Sequence, residues 1–376
     1  MRPSTRSLVS LAALMAIFPL YGFAAESRHG LLKRRLDART DSATVLSTSR
    51  TTAPDGAVIV AQDGSGDFSS IAAAVDSGAT SIFVQPGTYN EQVSVTVDGV
   101  SIYGSTRDTS SYAANEVILT YGLSATEAGN NDESGTLRVH ADDFKLYNID
   151  VKNSYGKGSQ ALALSAYGER QGFYGCGFYG YQARPFSHTQ CTFFWLTPPL
   201  QDTILTNEGT QYFSKSYIEG ATDFIFGQKA NSYFDHCTIG IVGAGYITAS
   251  GRDSADKEGM YVFNSCSVEQ ASSVTDDLTG KAYLGRPWRN YARAVFKYCS
   301  LSDVISPAGW RVWNEDDPRT DHLLFAEYSN SGASAWSSSR ASFATQLTED
   351  TKGAYAIGNV LGSDYASWID SAFAPA

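Results

Sequence analysis

One short pattern returns six times along the chain, at intervals too long for hairpins. It reads Phe, two residues, a small or aromatic residue, one residue, then an apolar residue. The copies are Phe144-x-x-Tyr147-x-Ile149, Phe173-x-x-Cys176-x-Phe178, Phe213-x-x-Ser216-x-Ile218, Phe234-x-x-Cys237-x-Ile239, Phe263-x-x-Cys266-x-Val268 and Phe296-x-x-Cys299-x-Leu301. Successive phenylalanines are 29, 40, 21, 29 and 33 residues apart. Alternation with period two makes each copy a strand with one buried face. Strands recurring at such intervals, joined by turns containing Gly, Ser and Asn, predict an all-β solenoid. The expected form is a single-stranded right-handed parallel β-helix. A β-sandwich is the other architecture open to such strands, but it wants hairpin turns every 8–12 residues or so and has no use for a motif in register. Thirty-four Gly, 22 Tyr and 19 Phe against 3 Met fit strands and turns rather than a helical bundle.

Solenoid ends need covers. Residues 67–75 place Ile71, Ala74 and Val75 on one face and are expected as a short N-terminal capping helix. Residues 341–373 are expected to contain helical stretches around 343–347 and 365–373, packed along the outside. Four of the five Cys share one motif position, so they are expected as an inward stack of small apolar groups. Neighbouring coils lie about 4.8 Å apart, wide for the ~3.8 Å Cβ separation of a disulfide, so free thiols are expected.

The N-terminus has Arg2 and Arg6, an apolar run from Leu8 to Phe23, then Ala24 and Ala25. Basic region, apolar core and small-residue site predict a signal peptide over 1–25 and a secreted, extracellular protein. A membrane anchor is the alternative, but the run falls short of the roughly 20 residues a span needs. Lys33-Arg34-Arg35 reads either as a processing site, making 26–50 a pro-segment or linker, or as a solvated basic patch. The body of the protein is then 51–376. The net charge is −11, and removing residues 1–35, which carry +5, leaves −16. Such a body argues against nucleic acid or an anionic membrane as partner. There is no Asn-x-Ser/Thr sequon, and no Cys/His cluster has zinc spacing.

Asp202 and Asp223 are 21 residues apart, the same interval as Phe213 to Phe234. On adjacent coils the two carboxylates would stand one above the other, about 5 Å apart. Two carboxylates that close cannot both ionise freely, so one should hold a proton. Spacing alone fits a pair of turn residues capping loops equally well.

The words around them carry more. Asp202 lies in Gln201-Asp202-Thr203-Ile204, and Asp223 in Gly220-Ala221-Thr222-Asp223-Phe224-Ile225-Phe226-Gly227. Leu284-Gly285-Arg286-Pro287-Trp288 follows; Gly87-x-Tyr89-x-Glu91 and Gln160-Ala161-Leu162-Ala163-Leu164 precede. This ordered set, running from about Asp55 to Trp368, resembles the pectin methylesterase (pectinesterase) family. The resemblance implies a pectin-lyase-like β-helix. It also implies a carboxylic ester hydrolase that cleaves the galacturonate methyl esters of pectin (homogalacturonan) in plant cell-wall modification or degradation, with no metal and no cofactor. By motif position it implies Asp223 as nucleophile, Asp202 as general acid/base and Arg286 as the partner of the nucleophile. Gln160 and the Gln before Asp202 match oxyanion-stabilising amides, and Thr136 and Trp288 match substrate-contacting positions. These roles make physical sense. An Arg fork preserves a carboxylate's charge, amide N–H groups stabilise an oxyanion, and an indole offers a face to a pyranose.

One departure stands out. The family reads Gly-Tyr-Gln-Asp-Thr without a break, whereas here Gly180-Tyr181-Gln182 is separated from Asp202-Thr203 by Ala183 to Gln201. Removing these 19 residues would shorten the 40-residue interval to 21, the length of the next coil. The segment has adjacent prolines, an aromatic run and no period-two pattern. A retained intron of 57 nucleotides is the favoured reading, although a donor within the codons for Ala183-Arg184 would be of the uncommon GC kind. The alternative is a genuine loop beside the site, with Cys191 as a lone thiol. Either Gln182 or Gln201 then serves the oxyanion.

Two rivals remain open on the sequence. Another pectin-active β-helix enzyme would be a lyase, wanting calcium-binding acids and a basic group, or a glycosidase, wanting carboxylates flanking a glycosidic oxygen. The second rival is a non-catalytic wall-binding solenoid. A serine esterase is disfavoured, as no Gly-x-Ser-x-Gly elbow occurs. His140 and His236 are expected in structural roles, and a monomer is the default.

Overall fold

The computed structural model describes residues 49–156, 158–180 and 202–374. Within the compact unit Ser47–Ala376, 22 strands from Val58 to Gln346 join in one sheet, and the pairings between them are parallel. Each strand pairs with the equivalent strand one turn later, so the chain winds as a right-handed parallel β-helix.

The core is a ladder of rings. Phe173, Phe213, Phe234, Phe263 and Phe296 stand opposite one another on successive coils. Their centroids are 4.6, 4.7, 4.5 and 4.2 Å apart and their planes lie within 12° of parallel. Coil spacing sets this distance, because a ring projecting from each coil has nowhere to lie but on its neighbour. The earliest motif copy is out of register by two residues. Leu146, not Phe144, faces Phe173, and Ile102 faces Leu146. A two-residue slip keeps every side chain on its face, so alternation could not detect it.

The 40-residue interval closes like the others. Leu164–Tyr174 pairs with Ile204–Ser214, and Gly177–Tyr179 with Tyr217–Glu219. Residues 181–201, with Gln182, Cys191 and Gln201, lie outside the described residues, as do residues 1–48.

Cys176, Cys237, Cys266 and Cys299 are buried free thiols. Each donates to a carbonyl of the preceding coil, those of Leu146, Phe213, Phe234 and Phe263, at 3.4–3.5 Å. The residue before each sharp corner is left-handed: Asn148, Gly175, Lys215, His236, Ser265, Tyr298 and Ser329 all have φ between 49° and 59°. Their types share nothing, which hid this column from the sequence. The ladder ends where Glu327 stands opposite Phe296. Glu327 is buried, pairs with buried Arg340 at 2.8 and 3.0 Å, and accepts from Trp310 Nε1.

The N-terminal cap is the helix Ile71–Asp76, with Ile71, Ala74 and Val75 buried as expected. It starts later than 67 because Phe68 bridges to Val60 and Ser70 caps the helix. The Glu91 carboxylate accepts from the Ile71 and Ala72 N–H groups, filling the donors that a helix start leaves open. At the other end, Ala344–Gln346 is a strand and not helix, since Leu324–Tyr328 offers it an edge to continue. The short helices Ile357–Val360 and Tyr365–Trp368 follow. Their Val360 and Trp368, with Phe373, cover Tyr147, Tyr174, Tyr212 and Tyr233 on the outside of the solenoid. No helix among the described residues is long and apolar enough to cross a membrane.

Candidate active site

One outer wall of the solenoid carries Gln160, Asp202, Asp223, Arg286 and Trp288. Leu205, Phe226, Ala249 and Arg286 stand in register on four coils. With Leu162, the first three form a separate apolar cluster under the partly buried Trp288 and Tyr167. Trp288 lies close on the backbone of Gly251, where a Cβ would come within 2.4 Å of the indole. This apolar floor and indole make a surface suited to a sugar ring.

Asp202 and Asp223 rise beside that floor. They keep the 21-residue offset of Ile204 and Ile225, which face each other two residues on. Both are left-handed, with φ of 70° and 54°, and the ladder slips on either side of Thr222. A bulge of this kind re-aims a side chain out of the alternation, and a left-handed non-glycine residue is strained where function holds it. Asp202 is 3% exposed and Asp223 6%.

Arg286 reaches Asp223 with two nitrogens: Nε to Oδ1 at 2.9 Å and Nη2 to Oδ2 at 2.5 Å. The fork matches the carboxylate and fixes its plane. Burial still outweighs the cation, so the Asp223 carboxyl lies above its ordinary range. This differs from the lowering that an Arg partner alone would give. Asp202 is pushed up much further, first by burial and then by the Asp223 charge, with Gln160 and Arg286 opposing. Its Oδ2 has no hydrogen-bond partner among the described residues. The dyad is therefore asymmetric: the Arg-held carboxylate is Asp223, and the proton belongs on Asp202.

A hollow of about 300 Å³ is lined by Asn131, Gln160, Asp202, Asp223, Phe226, Ala249, Trp288 and Trp313. It adjoins a second hollow of about 280 Å³ through Asn131, Phe226 and Trp288, which also takes in Tyr167, Asn207 and Gln228. The structure thus brings together Asp202, Asp223, Arg286, Gln160 and Trp288. Thr136 is placed elsewhere. It is fully buried and its hydroxyl donates to the carbonyls of Lys152 and Tyr121, so it offers nothing to a substrate in this cleft. A larger hollow of about 470 Å³, lined by Tyr179, Tyr217 and Lys152 among others, contains none of the predicted residues.

Asn131, Trp313 and Tyr246 were missed. Trp313 sits three residues after buried Trp310. In extended chain that odd spacing turns the two indoles to opposite faces, one to the core and one to the cleft. Tyr246 and Trp313 both lie against Arg286. His140 pairs with Asp132 at 2.9 Å and stacks on Tyr167, while His236 lies beside Asp235. Neither lines the cleft. Among the described residues no group of three or more His, Cys, Asp and Glu is placed to hold a metal ion.

A family model described as Pectinesterase matches residues 57–198 and 196–364, two spans that meet inside the 183–201 segment. A pectinesterase of Aspergillus aculeatus is 41% identical over 357 residues, covering 91% of this chain and all of that protein. A probable pectinesterase A of Neosartorya fischeri is 42% identical, covering 87% of this chain and 92% of that one. Among solved structures, the pectin methylesterase of Aspergillus niger in deglycosylated form superposes with a TM-score of 0.74 at 39% identity. It covers 86% of this chain and 100% of that one. The carrot pectin methylesterase gives 0.71 at 26% identity, covering 86% and 98%.

Proposed function

Because the chain belongs to the pectinesterase family, we propose that its buried aspartate dyad hydrolyses the methyl esters of galacturonate units in pectin. The chain is an enzyme, a carboxylic ester hydrolase. Asp223 Oδ attacks the ester carbonyl carbon and forms a C–O bond, leaving an oxyanion. Gln160 lies beside the dyad to donate to that oxygen. The second amide is Gln182 or Gln201. The intermediate collapses, the bond to the methoxy group breaks, and Asp202 gives that oxygen its proton, so methanol leaves. An acyl–Asp223 anhydride remains. Water attacks its acyl carbon while Asp202, now a carboxylate, takes the water proton. Asp223 leaves as a carboxylate, the freed uronic acid gives its remaining proton to solvent and departs as uronate, and both aspartates return to their starting states.

The observation that carries this reading is the asymmetry of the dyad. Asp223 has both oxygens held by Arg286, while Asp202 Oδ2 has no partner among the described residues and its carboxyl is pushed well above the usual range by burial and by the Asp223 charge. The acidic body favours neutral, esterified stretches over de-esterified product and hence a random pattern of action. Long contiguous demethylated blocks in the product would count against that.

The remaining assignments belong to the same reading: secretion directed by residues 1–25, action as a monomer on the plant cell wall, and residues 183–201 as a retained intron. The match in two spans that meet within this segment supports the last. The test is methanol release from highly methylated pectin by two secreted forms, one as written and one lacking residues 183–201. Activity in the shortened form alone is the expected result and makes the segment an artefact or an inactivating insertion. Activity in both makes it a tolerated loop. Two folded proteins that release no methanol overturn the esterase reading in favour of a wall-binding solenoid.

A further inference from the structure

Arg286 does not stand alone against Asp223. Its guanidinium carbon lies 4.2 Å from the ring centre of Tyr246 and 4.3 Å from that of Trp313. Tyr246 comes from a neighbouring strand of the wall, where it stacks on Tyr283. Trp313 comes from a segment outside the strands, closed by Trp313 N–H to Pro318 O and Asp317 N–H to Asn314 Oδ1. That segment ends at Arg319, a left-handed residue with φ of 57°. The Arg319 side chain does three things there. Its guanidinium lies 4.7 Å from the Trp313 ring centre, its Nε donates to Asp317 at 2.7 Å, and its Nη1 donates to the main-chain carbonyl of Trp288. One side chain thus links both tryptophans of the cleft.

We propose that Arg319 is a positioning residue for ester hydrolysis: it clamps the 313–319 segment to the backbone of Trp288 and so holds Trp313 against Arg286, which in turn orients Asp223. The inference rests on the reading of Asp223 as nucleophile. A long side chain bound only at its tip keeps rotamer freedom. Rings against the guanidinium remove that freedom and exclude water without competing for the N–H groups, which stay aimed at the carboxylate. Releasing Trp313 lets water reach Arg286, weakens its fork on Asp223 and misplaces the attacking oxygen. A displacement of 1 Å in such a group can cost about 100-fold. The charged and titratable groups around this device are Asp202, Asp223 and Tyr246 facing Arg286, with Asp317 and Arg319 behind Trp313.

The experiment uses whichever full-length or shortened form releases methanol. The pH profiles of kcat and kcat/KM are compared for wild type, Asp223→Asn, Arg319→Met, Arg319→Lys, Asp317→Asn, Trp313→Leu and Trp313→Phe. Arg319→Met and Trp313→Leu are expected to lower kcat about 10- to 100-fold and to move the acid limb to higher pH, with an unchanged urea midpoint. Trp313→Phe should recover part of the loss. Arg319→Lys keeps the charge but not the fork and should behave like Arg319→Met. Asp317→Asn changes the charge and leaves the clamp, so its acid limb should stay put. A folded Arg319→Met with wild-type kcat and acid limb overturns the inference, as does a change in KM alone. Should Arg319→Met not fold, Arg319→Lys carries the same decision. An active Asp223→Asn would sink the nucleophile reading itself. An inactive Asp223→Asn beside wild-type behaviour in the Arg319 variants sinks only the clamp.

Discussion

The ring ladder inside the solenoid and the cleft outside it grow from the same coils under opposite rules. Inside, one position repeats its chemistry on five successive coils, Phe173 to Phe296, and every ring meets an identical ring. Outside, the floor of the cleft changes at every coil: Leu205, Phe226, Ala249 and Arg286 share a register and nothing else. The ladder is neutral and closed, ending in an ion pair with its hydrogen bonds made. The wall buries two carboxyl groups against one guanidinium and leaves an oxygen without a partner among the described residues. Stability is built by translation along the axis. Catalysis needs groups that differ from their neighbours, and those cost stability where they stand.

The sharpest break between the regions comes from removing the charge at Asp223. Asp223→Asn is expected to lower kcat for methanol release by roughly 10⁴-fold or more, with folding intact by circular dichroism. The converse is a ladder cut. Phe263→Ala, between rings at 4.5 and 4.2 Å, should cost about 3–5 kcal/mol in urea unfolding. Its kcat per folded molecule should stay within about twofold of wild type, since the lost contacts are interior. A large fall in kcat at full folding would show that the two regions are coupled.

Asp202 sharpens the comparison with a change of sign. Its carboxyl lies well above the ordinary range in the folded chain, so above that range the native state holds a proton the unfolded chain has released. Stability falls with rising pH wherever the native state binds more protons. Asp202→Asn removes this slope. The variant should be inactive yet more stable than wild type by about 1–2 kcal/mol at pH 7. The gap should narrow as pH drops toward the usual carboxylate range. A gap independent of pH, measured by urea titration, would contradict the protonated assignment. The smallest expected effect lies at the corners. Ser265→Gly should raise stability by about 0.5–1 kcal/mol by relieving a left-handed serine, with activity unchanged. The strain at Ser265 serves no chemistry, whereas that at Asp202 and Asp223 aims the dyad.

Much of this is legible in the sequence. The repeat predicted the solenoid and, from the same spacing, the shared thiol column; the stacking of the rings from Phe173 onward emerged with the register. The 21-residue interval placed Asp202 against Asp223, and the word around Arg286 supplied their counter-ion. What escaped has physical causes. Phe144 displaced Leu146 because alternation is blind to a slip of two. Ala344–Gln346 reads as helix until an open strand edge lies beside it. Thr136 shares a motif with substrate-contacting positions, but its hydroxyl is spent on two carbonyls inside the wall. Trp313, Tyr246 and Arg319 meet Arg286 and Trp288 only across the fold, where no spacing rule reaches.

The sequence by itself therefore determined the winding of the chain, the ladder that holds it and the identity of the two carboxylates. The first two are properties of one coil repeated at a fixed interval, and the third comes from the motif words around each aspartate. The tertiary structure alone decided why Asp202 rather than Asp223 keeps the proton and what steadies the arginine. Those depend on burial, on the Arg286 fork and on side chains far apart in sequence. Electrostatic free energy is set by what surrounds a charge in space, and the order of residues along the chain does not record it.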